Sequence, residues 1–368
     1  MTRVHIVALG GTIAMQQAAP GAHASPSAAG RVPSPVAGVE VTEEQVANVG
    51  SPSLTVAHVA VALAAAERAV AEGAVGVVLT HGTDTLEETA FLLSRLWDHA
   101  APLVITGAMR PANAAGADGP ANLRDAILTA TAPSARGLGV LVVFNGMLHL
   151  GDRVTKVSSR SVDAFDSVPS GPIGVVHTDD VRLVYRPDAP PLRLLDGAVH
   201  APADACASGG VLPDALPVVP ILGTGLGDDG VLLSLILAAD SPVRGVVIDG
   251  AGMGHVPAGH MGPIRELLAR GIPVVVATRI PDGGTSTYHY AYPGSEVDLI
   301  SAGAIMAGSL SAHKARLLLQ MLIADSDARA TGNADSADGG VERSAGSGLD
   351  QPAAARDFAA AFNAFSYD

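Results

Sequence analysis

Arg3-Val4-His5-Ile6-Val7-Ala8-Leu9-Gly10-Gly11-Thr12-Ile13 begins as an apolar run and ends in two glycines and a threonine. Its aliphatic and β-branched residues read as a buried strand over 3–9, and the glycines let the backbone turn sharply at the end of it. The pattern recurs at 75–80, where a second apolar run leads into His81-Gly82-Thr83-Asp84-Thr85-Leu86-Glu87-Glu88. A helical pattern at 56–72 separates the two runs. Strand candidates follow at 103–107 and 138–144, with helical patterns at 87–99 and 120–131 between them. Short β-branched runs alternating with longer helical ones predict a parallel α/β sheet. Both threonine-bearing turns then fall at the carboxyl edge of that sheet, where open α/β sheets bind ligands. Thr12 and Thr83 are expected to face one crevice.

Further along, the chain is irregular through 150–200, and a Pro/Ala/Gly-rich stretch at about 186–214 reads as a linker. The alternation restarts with Val218–Leu222, a helix at 229–239, Gly245–Ile248, a helix at 260–270 and Pro273–Val276. A last amphipathic helix spans about Ser311 to Ile323. The expected fold is α/β with two domains. The larger N-terminal domain, 1–190, carries a mainly parallel sheet flanked by helices. A linker at 191–214 leads to a smaller C-terminal α/β domain at 215–324. Residues 325–350, rich in Asp, Ser and Gly, read as a low-complexity insertion. A terminal helix is expected over 351–368, with Phe358, Phe362 and Phe365 on one face. Residues 16–38 lack hydrophobic periodicity and follow Thr12 directly, so they read as a lid over a site or a solvated surface loop.

Composition narrows the function. The chain has 368 residues, too many for one small core. Apolar residues make up 48% and charged residues 16%, which suits large buried sheets and subunit interfaces. A formal net charge of −14 with no basic stripe argues against a nucleic-acid partner. The lone Cys206 cannot form an internal disulfide and has no metal-ligand pattern around it. No apolar run is long enough to cross a bilayer, and the first strand is not preceded by a leader pattern, so a cytoplasmic location is expected.

The chemistry gathers on few residues. Lys156, in Asp152-Arg153-Val154-Thr155-Lys156-Val157-Ser158, is one of only two lysines, the other being Lys314. Arginine keeps its proton at any working pH, whereas a desolvated lysine can give it up. A threonine hydroxyl needs a base before it attacks, and such a lysine would be suitable, with Asp84 orienting it or holding a substrate ammonium. Each feature also has a plain reading. The threonines can be turn residues, Asp84 and Thr85 a helix cap, Glu87 and Glu88 partners of the helix dipole, and His81 a hydrogen-bonded histidine behind the site. A rival signal is Gly225-Leu226-Gly227-Asp228-Asp229-Gly230, a G-x-G-x-x-G run with Asp249 after the next strand, which outlines a dinucleotide site. Two carboxylates where a pyrophosphate would sit argue against it, and the alternative is a strand-to-helix turn capped by Asp228 or Asp229.

Taken in order, Ala8–Ala14, Thr80–Ala90, Gly107-Ala108-Met109-Arg110-Pro111 with Ala117-Asp118-Gly119-Pro120, Val154-Thr155-Lys156 and Lys314–Gln320 resemble the bacterial L-asparaginase family (the asparaginase/glutaminase group). The resemblance implies hydrolysis of L-asparagine to L-aspartate and ammonia through a threonine acyl-enzyme, with neither cofactor nor metal. It casts Thr12 as primary nucleophile and Thr83, Asp84 and Lys156 as a second constellation. Ser51, Thr83, Asp84 and Glu296 would bind substrate, Glu296 being delivered by a neighbouring subunit of a homodimer or homotetramer. Departures stand out: residues 13–50 hold no tyrosine for the family's lid, Pro52 stands where many members have glutamine, and Met253 where they have asparagine. The other readings are an asparaginase-like subunit of a glutamyl-tRNA amidotransferase and a non-catalytic domain that binds an amino acid or nucleotide.

Overall fold

In the computed structural model the residues described are 2–18, 21–24, 30–187, 215–238, 242–335 and 351–366. Cys206 and the stretch 191–214 lie outside them. The chain forms two compact units, the first holding the described residues up to 187 and the second those from Leu216 on.

The first unit has strands β1 (Thr2–Ala8), β2 (Met15–Ala18), β3 (Gly21–Ala24), β4 (Gly30–Val32), β5 (Val39–Gln45), β6 (Gly76–Thr80), β7 (Leu103–Thr106), β8 (Val140–Phe144), β9 (Met147–Leu150), β10 (Thr155–Lys156), β11 (Phe165–Asp166), β12 (Gly174–His177) and β13 (Asp180–Leu183). Its helices are α1 (Val56–Ala71), α2 (Leu86–Ser94) and α3 (Gly119–Thr131). The main sheet has the order β13-β12-β9-β8-β7-β6-β1-β5-β4, and β5-β1-β6-β7-β8 within it are parallel. Alternation along these strands buries both faces. Val4, Ile6, Val78, Val104, Leu141 and Val143 form one core with Ala126 and Ile127 of α3. The intervening Leu79, Leu103, Ile105 and Val142 are equally buried on the opposite face.

From β1 the chain goes to β5 on one side and then to β6 on the other, so the strand order reverses at β1. Open α/β sheets bind ligands outside the carboxyl ends of the strands at such a reversal. Beyond β8 the sheet continues antiparallel through β9 and then through β12 and β13, which lie in the stretch 150–187 that is irregular by pattern. After Thr12 the chain forms an antiparallel hairpin of β2 and β3, with Met15 opposite Ala24. Of the expected lid, 19–20 and 25–29 lie outside the described residues, and Gly30–Val32 form β4.

The second unit is built on a parallel sheet, β14 (Ile221–Gly223), β15 (Val246–Gly250), β16 (Val274–Thr278) and β17 (Ile305–Met306). Its helices are α4 (Val231–Ala238), α5 (Met261–Ala269), α6 (Glu296–Ala302), α7 (Ala312–Asp335) and α8 (Gln351–Asn363). Leu233, Ile264, Leu267 and Leu299 close a core over Val246, Ile248, Val274 and Val276, while α7 packs on β15 and β16. The helix expected to stop near Ile323 runs on to Asp335, taking in the first part of the expected low-complexity stretch. Its outer turns are supported by an Arg329–Asp325 ion pair at i,i+4. Residues 336–350 are not among those described. In α8, Phe358 and Phe362 are buried. Lys314, near the start of α7, is 3% exposed.

Candidate active site

Three loops meet at the carboxyl edge of β1 and β6, and glycine sets their spacing. Gly11 has φ +92°, and a methyl group there would lie 2.4 Å from both Cα and N of Gly82. Only glycine fits that geometry, which brings the turn before Thr12 against the turn before Thr83. Gly82 in turn lies against Ser51, whose Cβ and Oγ would both be 2.8 Å from an added Cβ. Ser51 binds this loop twice more. Its Oγ accepts the Asp84 N–H at 3.1 Å, and its carbonyl accepts the Thr85 hydroxyl at 2.9 Å. Thr85 is the residue before α2, but its hydroxyl goes to Ser51 and does not cap the helix.

Lys156 reaches this assembly from β10. Its Nζ is 2.8 Å from Thr83 Oγ1 and 2.6 Å from Asp84 Oδ1. Thr83 is buried, the Lys156 side chain is 16% exposed and that of Asp84 61% exposed, so the group runs from a covered hydroxyl to an open carboxylate. Direct contacts therefore join Ser51, Thr83, Asp84 and Lys156. Thr12 heads a half-buried 3₁₀ turn, Thr12–Ala14, and adjoins the group through the contact of Gly11 with Gly82. The following residues rest on the loop after β7. Gly119 lies against Ile13, and the Met15 carbonyl accepts the Ala112 N–H at 2.9 Å. Asp118 shapes that loop by accepting the Met109 and Arg110 N–H groups, each at 2.9 Å.

His81 is fully buried behind Thr83. Its Nδ1 is 2.6 Å from the Gly82 carbonyl, an acceptor only, so Nδ1 carries the hydrogen and Nε2 accepts from the Thr89 hydroxyl at 2.9 Å. Burial pushes this imidazole down to about 4, keeping it neutral. Its role is to brace the Thr83 loop on α2.

Sequence patterns did not reveal the residues that anchor Lys156. Its backbone N–H donates to Glu87 Oε2 in the first turn of α2. At the far end of α2 the fully buried Arg95 pairs with Asp152 at 2.9 Å, fixing the turn that leads to β10. A single arginine at the end of a helical pattern has no distinctive spacing, and Glu87 reads as an ordinary helix-dipole acid.

Glu296 stands in the second unit at the head of α6, fully buried. One oxygen accepts the Tyr290 N–H at 2.5 Å and the other lies 2.9 Å from His255 Nε2. His255 Nδ1 is 2.8 Å from the Tyr292 hydroxyl, whose ring is half exposed. Neither His255 nor Tyr292 carries a spacing that singles it out in the sequence.

The glycine run at 225–230 joins β14 to α4, but its own acids occupy it. Asp228 Oδ1 accepts the Gly230 N–H at 3.0 Å and Asp229 Oδ1 accepts the Val231 N–H at 3.1 Å. The Gly230 N–H, with His260 beside it, holds Asp228 below the usual carboxylate range. Amides that would face a pyrophosphate already have anionic partners, so the capped-turn reading holds. Among the described residues, no three His, Cys, Asp or Glu side chains are grouped to hold a metal, and no helix is long and apolar enough to cross a membrane.

Known proteins resemble this chain over most of its length. Residues 3–189 match the model for the N-terminal domain of asparaginase, and residues 218–332 the model for the glutaminase/asparaginase C-terminal domain. A probable L-asparaginase of Deinococcus radiodurans is 37% identical over 328 residues, which cover 88% of this chain and 93% of that protein. An L-asparaginase of Bacillus licheniformis is 35% identical over 249 residues, 68% of this chain and 71% of that one. The crystal structure of a probable cytoplasmic L-asparaginase from Campylobacter jejuni superposes with a TM-score of 0.69 at 28% identity, covering 88% of this chain and 95% of the other. With both domain models matched in order, the chain belongs to the bacterial L-asparaginase family.

Proposed function

We propose that the chain is an L-asparaginase, hydrolysing L-asparagine to L-aspartate and ammonia. The observation that carries this reading is Lys156 Nζ held between Thr83 Oγ1 and Asp84 Oδ1, beside Ser51, at the edge where the sheet opens. Thr12 attacks the side-chain amide carbon as primary nucleophile, its hydroxyl proton passes to the amide nitrogen, which leaves as ammonia, and water cleaves the resulting ester and returns a proton to Thr12. In its amine form Lys156 takes the hydroxyl proton of Thr83, and Asp84 keeps the amine directed at it. The open carboxylate of Asp84 and the hydroxyl of Ser51 are set to receive the substrate's ammonium and carboxylate groups.

Glu296 serves the site of a neighbouring copy in a homodimer or homotetramer, acting within the cluster that includes His255 and Tyr292. A cytoplasmic location is part of the proposal, supported by the name of the Campylobacter relative, although a Haemophilus influenzae relative is named periplasmic. Ammonia release from L-asparagine, L-glutamine and D-asparagine tests the activity, with Thr83→Ala as the blank. Turnover of L-asparagine should fall by on the order of a thousandfold or more in the blank. Equal release by wild type and blank refutes the assignment. For Glu296, mixing Thr83→Ala and Glu296→Ala subunits should restore part of the activity, and hybrids that form but stay inactive would remove it from the neighbour's site.

A further inference from the structure

Lys156 is only as well placed as the strand that bears it. That strand, β10, is two residues long and pairs with a two-residue partner, β11, with Lys156 opposite Phe165. So short a ladder cannot by itself fix a backbone against thermal displacement. Lys156 donates its own N–H outside the ladder, to Glu87 Oε2 on α2. The same helix holds the other half of the site, because Thr89, two residues on, donates its hydroxyl to His81 Nε2 and so holds the turn carrying Thr83. One helical turn thus grips the lysine's backbone with Glu87 and the threonine's loop with Thr89.

We propose that Glu87 is a positioning residue for the reaction, setting the distance from Lys156 Nζ to Thr83 Oγ1 by holding the Lys156 N–H. It works as a hydrogen-bond acceptor and touches neither substrate nor reacting atoms. The inference rests on the asparaginase reading and on Lys156 as a working group of that site. Loss of the acceptor frees β10 to shift. A displacement of roughly 1 Å at a reacting pair can cost on the order of a hundredfold in rate, while binding groups elsewhere keep their places.

The experiment is a double-mutant cycle on the full chain, with turnover and KM for L-asparagine measured alongside thermal unfolding. Glu87→Ala should lower kcat by about tenfold to a hundredfold with KM changed by no more than about twofold. Glu87→Gln, which keeps an acceptor oxygen at the same reach, should recover kcat to within about threefold of wild type. In a Lys156→Met background, Glu87→Ala should cause no further loss of the residual rate. A residue acting through general stability would lower both backgrounds equally, and that result overturns the proposal. Wild-type kcat in Glu87→Ala overturns it too, as does a Gln variant as impaired as the Ala one. Should Glu87→Ala not fold, the Gln variant decides alone, because an acceptor role requires it to stay active. If Lys156→Met itself retains full turnover, the role given to Lys156 fails, an outcome distinct from any result at Glu87.

Discussion

Replacing His81 with glutamine should flatten the response of the first unit's stability to acid. The folded imidazole titrates near 4 because burial disfavours its charged form, against 6.5 for an unconstrained histidine. Between those values the unfolded chain binds a proton that the folded chain does not. Stability is therefore fully present above about pH 6.5 and is lost as the pH falls toward 4. The loss attributable to His81 is about 2 kcal/mol at about pH 5 and approaches about 3 kcal/mol below pH 4. Glu67 acts in the opposite sense, since burial raises its carboxyl to about 7 and the folded state gains a proton there as the pH drops. His149, pushed down to about 4 by burial, adds to the loss. Both contributions are common to wild type and variant and cancel in the difference between them. Trp97 is the only tryptophan of the chain and is buried in the same unit, its indole N–H donating to the Ala101 carbonyl at 2.8 Å. Urea unfolding followed by its fluorescence at about pH 7.5 and about pH 5 should show wild type losing about 2 kcal/mol more than His81→Gln. Equal losses in the two proteins would refute the claim that His81 is buried neutral.

Gly11→Ala places a methyl group 2.4 Å from the Gly82 backbone at φ +92°, so one of the two turns must move. It should lower the melting temperature by roughly 5–10 °C and reduce ammonia release together, and an unperturbed protein would contradict the close approach of the loops. Asp152→Ala leaves Arg95 buried without its carboxylate and should cost about 3–5 kcal/mol in the same Trp97-monitored unfolding. The pair Arg95→Met with Asp152→Leu should recover much of that loss, and failure to do so would mean that the charges are needed for more than mutual compensation.

The sheet of the first unit could be read from sequence because its central strands are buried on both faces and separated by helices of ordinary length. Gly76–Thr80 and Leu103–Thr106 show this, their apolar runs ending where the strands end. Polar strands were not legible. In β5, Val39-Glu40-Val41-Thr42-Glu43-Glu44-Gln45 is half exposed and acid-rich, and pairing with β1 and β4 makes it a strand. α2 was expected to reach residue 99 but ends at Ser94, where the chain turns and buries Arg95 and Trp97. At the site, the glycine turns located Thr12 and Thr83 because strand-end geometry demands those glycines. Glu87, Arg95, His255 and Tyr292 act through contacts between segments distant in sequence, and no local period records such contacts.

The scarcity of lysine has a practical side. Apart from the α-amino group, the chain offers amine-directed reagents two targets, of which Lys314 is 3% exposed and Lys156 has a side chain 16% open to solvent. Acylating dyes, aldehyde crosslinkers and activated-ester supports would thus find Lys156 first, and each coupling event there would replace the amine that Thr83 and Asp84 hold. Attachment through lysine would enrich the immobilised material in spent enzyme. Of the 36 aspartate and glutamate side chains, Asp84 lies in the site and Glu296 is buried, so carboxylate coupling would be divided among many other positions. For a chain of this composition, the carboxylates are the handles to use.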